Sequence, residues 1–598
     1  MGCDSPEGRF QEAIPMLQLM LFADNLPRPR WVNPPWTPGS APWLDLDREL
    51  PAGDRARLID RLAAELDLTA LRQAYAGTGS PAHPPELLLR LVLFEIDRGR
   101  LRPAQWHRDS RHDGAVKWLL FGLKPSRSCL YQFRDRIEPH LDAWISQVLV
   151  TAKAEGLTTA RRASVDGTFE PSRASRHTLV NDRTLEARCQ QLDAALAADF
   201  TLKSVGGSTS VPVPTPGGEA LSTSEVATIP ARGDCRRAVE LSNPADSLSR
   251  EANSAALGES APAAPIPSAP PTPGDGSSSL PRWMGQNPTT RFRQRQRYRQ
   301  AQQQLEQRKR HRQETQNLQA KAKRRTPEQI KVSPSDPEAP LGFDKTKVFC
   351  PLYNVQLVCD LDSPLVLGYG VYPAVTDANL LGPALERTRD LSGTMPAIIL
   401  NDNQYANILN LKFCHDHGVT MYSPMAADTA GKKNPPKQIP KREFTWLAEE
   451  QTYRCPEGHL LVFQRQETQH RQGAQKLIES QYRCPGEHCQ ACPRQSQCTR
   501  TPQKGRIIKR SQYDEWWDQL RERMRAVQSQ AVYKLRKQTV ERQIADLKEH
   551  RGLRRFASYG LRRARIQIGL LILAQDGMAL LKARSQRQRN APSPLQAG

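Results

Sequence analysis

Three acids stand at the ends of short patterned segments. Asp166 closes the strand-like run Ala163-Ser164-Val165 ahead of Gly167, and Asp402 follows the apolar run Ala397-Ile398-Ile399-Leu400. Glu541 sits in the helical pattern Val540-Glu541-Arg542-Gln543-Ile544-Ala545-Asp546-Leu547-Lys548. Taken singly, each is an ordinary turn, cap or ion-pair residue. Together, on two strands and a helix, they supply the oxygen donors that two-metal phosphoryl chemistry requires. Hard cations such as magnesium prefer carboxylate oxygens, and two held about 3.5 to 4 Å apart activate an attacking oxygen and stabilise a leaving one. Lys548 lies two helical turns beyond Glu541 on the same face, where it could meet a phosphate beside the scissile bond.

A second cluster carries sulfur. The chain has 12 cysteines, too sparse for a disulfide scaffold, but four of them form Cys484-x4-Cys489-x2-Cys492-x5-Cys498. Four thiolates so close either complete a tetrahedral structural zinc site or remain reduced, unmetallated thiols. Cys455 and His459 are further candidate contributors. No catalytic thiolate is expected, because phosphoryl transfer needs none.

Several kinds of element must position these groups. Residues 45–150 read as a helical unit, with apolar residues at helical spacing through Leu58, Leu62 and Leu66 and again through Leu87, Leu91 and Phe94. Pro84 and Pro85 open one helix and Gly99 closes it. Lys124-Pro125-Ser126-Arg127-Ser128 makes a basic turn before helical spacing resumes at 130–145. This fits either a DNA-binding bundle, with Lys124, Arg127 and Arg134 as candidate contacts, or a structural domain with solvated arginines. Strand patterns return at 348–349, 353–360 and 365–372, a three-stranded meander turning at Asp362-Ser363-Pro364. A helix at 379–389, a strand at 397–400, a helix at 405–417 and a strand at 419–422 follow. This alternation predicts a mixed α/β sheet.

Lys and Arg outnumber Asp and Glu by 85 to 63, a net charge of +22, so the expected partner is an acidic polymer. Residues 291–325 hold 13 Lys and Arg against two acids. They read either as a charged segment whose binding to phosphate is steeply salt-dependent, or as a solvated helix or half a coiled coil, with Leu305 and Leu318 almost its only aliphatic anchors. Residues 204–280 are rich in Ser, Pro, Gly and Ala and contain no Phe, Tyr or Trp, so disorder is expected there. The longest apolar run, 566–581, is interrupted by Gln567, Gln575 and Asp576 and falls short of the roughly 20 residues a membrane span needs. No secretory signal is read, and Pro6 breaks a myristoylation pattern, so a cytoplasmic location is expected.

On these residues the chain resembles a known family, the bacterial insertion-sequence transposases of the DDE type, in the insertion sequence five superfamily and its eleven-eighty-two-like group. The helical N-terminal domain is similar through Ala82-His83-Pro84-Pro85-Glu86-Leu87-Leu88-Leu89 and Tyr131-Gln132-Phe133-Arg134. The first family Asp matches Asp166 in Val165-Asp166-Gly167-Thr168, and Ser333-Pro334-Ser335-Asp336-Pro337-Glu338-Ala339 and Tyr353-Asn354-Val355-Gln356 resemble the linker and strand that follow. The second matches Asp402, with Tyr405 three residues on, and the third acid matches Glu541, with Lys548 at the family spacing. One departure stands out. The related Tyr, Arg, Glu, Lys signature has Arg four residues before Glu, where this chain has Lys537, and Tyr533 and Arg536 come one position early.

The resemblance implies an α/β fold: an RNase H-like mixed-sheet catalytic core with an N-terminal all-α domain and a disordered insertion. The expected organisation is a helical DNA-binding domain at 45–150 and the first part of the core at 160–203. A disordered insert at 204–290 and a basic segment at 291–330 follow. The central core spans 331–450, a cysteine-rich insertion 451–505, and C-terminal helices carrying the catalytic Glu 506–585. It further implies magnesium or manganese held by Asp166, Asp402 and Glu541, and a homodimer on DNA pairing two terminal inverted repeats. Hydrolysis at the element ends and attack of the freed 3′ hydroxyl on target DNA would follow. Two other readings stay open: a non-catalytic DNA-binding regulator or inactive remnant, and an RNase H-like nuclease without strand transfer.

Overall fold

The computed structural model describes residues 28–205, 280–315, 326, 329–425, 438–470 and 476–590. Positions 206–279 of the insert expected to be disordered lie outside the described residues, as do 316–325 of the basic segment, with Leu318. The chain divides into two units, one of Met1–Arg30, Ala76–Ala82 and Glu186–Arg299, the other of Trp31–Tyr75, His83–Leu185 and Gln300–Gly598.

The larger unit opens with helices. In α1 (Arg55–Glu65), Asp54 caps the N-terminus by accepting from the Ala56 N–H, and Ala56, Ile59, Leu62 and Ala63 form its buried face. Pro85 starts α2 (Pro85–Asp97), which is buried almost all round, and the chain leaves it through Gly99 at φ 72°. Helix α3 (Pro103–His112) follows. Ser126 caps α4 (Arg127–Arg136) by accepting from the Cys129 N–H, and α5 (Leu141–Ala154) completes the set.

The sheet is built around β1 (Arg162–Pro171). The remaining strands are β2 (Leu341–Phe343), β3 (Phe349–Asp360), β4 (Val366–Tyr372), β5 (Ile398–Leu400) and β6 (Thr420–Tyr422). β1 pairs antiparallel with β3 from Ala163 opposite Asp360 to Pro171 opposite Leu352, and parallel with β5, with Ser164 opposite Leu400. β5 is parallel to β6, while β2 and β4 both pair antiparallel with β3. The spatial order is therefore β4, β3, β1, β5, β6, a mixed sheet. Helix α6 (Leu381–Ser392) lies between β4 and β5 in the chain, and α7 (Ile408–Asp416) between β5 and β6. The pattern at 348–349 proves to be the start of β3 rather than a separate strand.

A second sheet has the order β11, β10, β9, β8, β7. Its strands, all antiparallel, are β7 (Thr445–Leu447), β8 (Thr452–Arg454), β9 (Leu460–His470), β10 (Lys476–Arg483) and β11 (Ile507–Ser511). The cysteine-rich insertion thus has an apolar core of its own, including Phe444, Tyr453, Leu461, Tyr482 and Ile508.

Three helices follow: α8 (Asp514–Arg525), α9 (Val527–Gln538) and α10 (Val540–Glu549). The last element, α11 (Leu561–Asn590), runs through the middle of the core. It is long and apolar enough to cross a membrane, longer than the interrupted apolar run suggested, but most of that window is buried inside the protein. Its polar interruptions are used internally. Asp576 accepts from the Val366 N–H of β4 at 3.0 Å and Gln567 from the Ala557 N–H at 2.9 Å. One hydrophobic core joins α1, α2, α5, the mixed sheet and α11, so the helical segment read as a separate domain shares its core with the sheet.

In the smaller unit, residues of two helices, Asp182–Val205 and Pro288–Thr315, run antiparallel. The basic segment is helical as far as Thr315. Arg291 and Arg295 pair with Asp199 and Asp193, so part of its charge is already neutralised.

Candidate active site

Asp166 sits in the middle of β1, where the Gly167 N–H donates to its Oδ1 at 2.9 Å. Ser164 stands opposite Leu400, the last residue of β5, and Asp402 follows two residues beyond that strand's end, near enough for its charge to act on Asp166. A turn holds Asp402: its Oδ1 accepts from the Gln404 N–H and its carbonyl from the Ser423 hydroxyl. Glu541 occupies the first turn of α10, whose buried stripe Val540, Ile544 and Leu547 packs on the sheet. The start of that helix is pinned to β1. Ser164 Oγ accepts from the Val540 N–H at 3.3 Å and lies 2.7 Å from Thr539 Oγ1.

Arg536 joins two of the acids. Its guanidinium lies 2.7 Å from Asp166 Oδ2 and 2.8 Å from Glu541 Oε1, with 11% of the side chain exposed. Arg536 and Glu541 lie on different helices, because Thr539, with backbone φ −109° and ψ −100°, breaks the chain between α9 and α10. Burial pushes the Asp166 carboxyl up to about 6, against the pull of Arg536 and the Gly167 N–H, while Asp402 adds to the rise. Burial likewise raises the Tyr533 hydroxyl, with Arg536, Asp402 and Glu541 all acting on it. All three acids, Arg536 and Tyr533 therefore share one electrostatic neighbourhood.

Behind Asp166 lies a network that the sequence reading missed. Asn354 Nδ2 and Gln356 Nε2 donate to Asp377 Oδ1 at 2.7 and 2.6 Å, and the buried Tyr405 hydroxyl donates to Gln356 Oε1. Gly167 is required here: a Cβ would stand 2.3 Å from both Asp377 Oδ1 and Gln356 Nε2. The available signal was two amides at alternate positions of an otherwise apolar strand, which on a doubly buried strand must find partners. Lys345 was missed as well. It is exposed on the turn between β2 and β3 shaped by Asp344, and its charge acts on Asp166, Glu170 and Asp377.

Two expected DNA contacts are placed otherwise. Lys548 Nζ lies 2.5 Å from Oε1 of the buried Glu170, itself bonded by the Thr168 hydroxyl at 2.7 Å, so this lysine is held in an ion pair. Arg134 is buried, against Asp135 at 2.7 Å and the Ser558 hydroxyl at 2.8 Å. Lys124 and Arg127 are exposed at the capped start of α4.

Cys484, Cys489, Cys492 and Cys498 do come together, with Cys455 as a fifth thiol, around one small pocket that His459 and His488 also line. Burial, then the neighbouring Cys489, pushes the Cys484 thiol up to about 12. The side chains as placed form no tetrahedral set. Among the described residues no group of three or more His, Cys, Asp or Glu side chains is arranged to hold a metal ion. At the three acids the donor chemistry suits a hard cation, and Asp166 and Glu541 already converge on one positive group, the Arg536 guanidinium.

Residues 454–576 match the family model described as transposase DDE domain. The span runs from β8 into α11 and includes the cysteine cluster, Arg536, Glu541 and Lys548, while Asp166 and Asp402 lie before it. No curated protein and no solved structure matches the chain. The match supports a DDE transposase.

Proposed function

We propose that the chain mobilises a bacterial insertion sequence, binding the terminal inverted repeats, cleaving at the element ends and joining the freed ends to target DNA. The observation that carries this reading is the convergence of Asp166 and Glu541 on the Arg536 guanidinium, with Asp402 just beyond the end of the adjoining strand. The strand order with β1 central, antiparallel to β3 and parallel to β5, supports an RNase H-like core. The sequence motifs support the insertion sequence five superfamily and its eleven-eighty-two-like group. Asp166, Asp402 and Glu541 would hold magnesium or manganese, which when bound supplies Lewis-acid activation of the attacking oxygen and stabilisation of the leaving one.

The chain's own residues do the positioning. Ser164 and Thr539 fix where α10 meets β1, and the Asp377 network holds Gly167 and the backbone beside Asp166. Water attacks the terminal phosphodiester, leaving a 3′ hydroxyl and a 5′ phosphate. The 3′ hydroxyl then attacks a target phosphodiester, so one P–O bond forms as another breaks. The two ends to be joined call for at least a dimer on DNA. The thiol pocket takes no part in these steps.

The test is incubation of the protein with magnesium and a duplex carrying the DNA that flanks its gene. Nicking at the repeat boundary is expected, lost in Asp166→Ala, Asp402→Ala and Glu541→Ala while end binding is kept. Cleavage retained in all three variants would sink the assignment. Cleavage without joined product in a target plasmid would point to a nuclease, and tight binding without cleavage to a regulator.

A further inference from the structure

A cavity of 660 Å³ lies where the residues after α2 meet the segment between α10 and α11. Its walls carry Arg102, Gln105, Arg173, Arg554, Arg555 and Tyr559, and no carboxylate lines it. We infer that this cavity binds the phosphodiester backbone of DNA, as a contact separate from the three acids. The inference rests on the transposase reading and extends it to a second point on the same DNA.

The walls are built, not incidental. Arg551 ties Asp97 at 2.6 Å and Asp546 at 2.9 Å, holding the two segments together. Gly99 and Gly552, at φ 72° and 70°, let the backbones meet, since a Cβ on Gly552 would stand 3.0 Å from the Gly99 carbonyl oxygen. Arg555 donates to the carbonyls of Ser172, Arg173 and Ala174, and Arg173 donates to that of Ala557. These carbonyls take up N–H groups of Arg555 and Arg173 but leave their charges uncancelled. Arg102 has no ion pair among the described residues, and only Arg554 meets an acid, the exposed Glu549.

Four guanidiniums around one concave surface repel one another unless an anion enters, and a phosphodiester offers the planar pair of oxygens that guanidinium binds in a fork. Tyr559 adds an aromatic face, 41% exposed, with the Arg173 guanidinium 5.5 Å from its ring centroid. A ring beside the anion site suits a base or sugar, which favours a polynucleotide over a small anion. The location suits the same strand of DNA. Arg173 is seven residues beyond Asp166, at most about 23 Å away along an extended chain, or roughly seven nucleotides.

The experiment measures fluorescence anisotropy of the full chain on the flanking duplex across a salt series, without magnesium, with thermal melts to confirm folding. The double variant Arg102→Glu/Arg554→Glu is expected to bind about tenfold more weakly or worse, with the log–log salt slope reduced by about two. Arg102→Lys should keep the slope, and Tyr559→Ala should weaken binding at unchanged slope. Wild-type affinity and slope in the folded double variant overturn the proposal. So does saturable binding of inorganic phosphate that the double variant abolishes while DNA affinity stays intact. A wild-type protein that binds DNA through the cavity yet never cleaves would instead count against the transposase reading alone.

Discussion

Arg536 carries the charge balance of the three acids, because its one guanidinium serves both Asp166 and Glu541. Replacing it by Ala leaves a largely buried carboxylate without its cation, and a loss on the order of 2 kcal/mol in unfolding free energy is expected by denaturant titration. The same variant should bind Mn2+ more tightly, read by the paramagnetic resonance of free manganese, since a competing cation is gone. Unchanged stability together with unchanged manganese affinity would show that the ion pairs do not matter. The sequence placed Asp166 and Asp402 at strand ends and Glu541 on a helix. Asp402 does follow the end of β5 and Glu541 does lie on α10, but Asp166 sits inside β1, which runs on to Pro171. The partner that links Asp166 and Glu541 was not legible in the sequence. A residue one position early in a helix is turned by about 100°, and the break at Thr539, which contacts Ser164 on a distant strand, separates the helix of Arg536 from that of Glu541.

Between elements, the decisive link is the one that fastens α10 to β1. Asp166, Thr168 and Glu170 alternate along one face of the strand, and Lys548 on the helix meets the last of them. Glu170 is buried, and burial raises its carboxyl against the pull of Lys548. Lys548→Met should therefore cost about 3 kcal/mol by leaving a buried acid unpaired, and Glu170→Gln in the same chain should restore most of it. A Lys548→Met protein of unchanged stability, whose DNA binding loses about one unit of salt slope, would restore the phosphate contact expected from the sequence. The order of strands and helices between 348 and 422 was readable from alternation and turn residues. The ends shifted where side chains capture the backbone. The helix expected from 405 begins at Ile408, because Tyr405 is drawn to Gln356 and Asn407 caps the helix by accepting from the Asn410 N–H.

At the scale of the whole molecule, the shared core makes stability depend on acids far from the site. Glu95 in α2 is fully buried, facing Asp109, with its Oε1 3.7 Å and 3.6 Å from the Arg98 and Arg100 guanidiniums. Burial, then the hydrogen bond and charge of Asp109, raises it from 4.5 to about 8, with Arg100 and Arg98 opposing. The folded protein thus keeps a proton that the unfolded chain releases. This contribution is fully present below 4.5 and declines as pH rises through about 8. The melting temperature should fall across that window, and Glu95→Gln should flatten the fall; an identical pH profile in the variant would contradict it. Charge, composition and hydrophobic period are properties of neighbours in the chain, so the basic character and the succession of strands and helices could be read directly from the residues. Lys548 and Arg134 turning inward, Asp377 joining Asn354 and Gln356, and four arginines gathering around one cavity depend on strand register and helix phase. Those are set by how remote segments pack, and no window of sequence contains them.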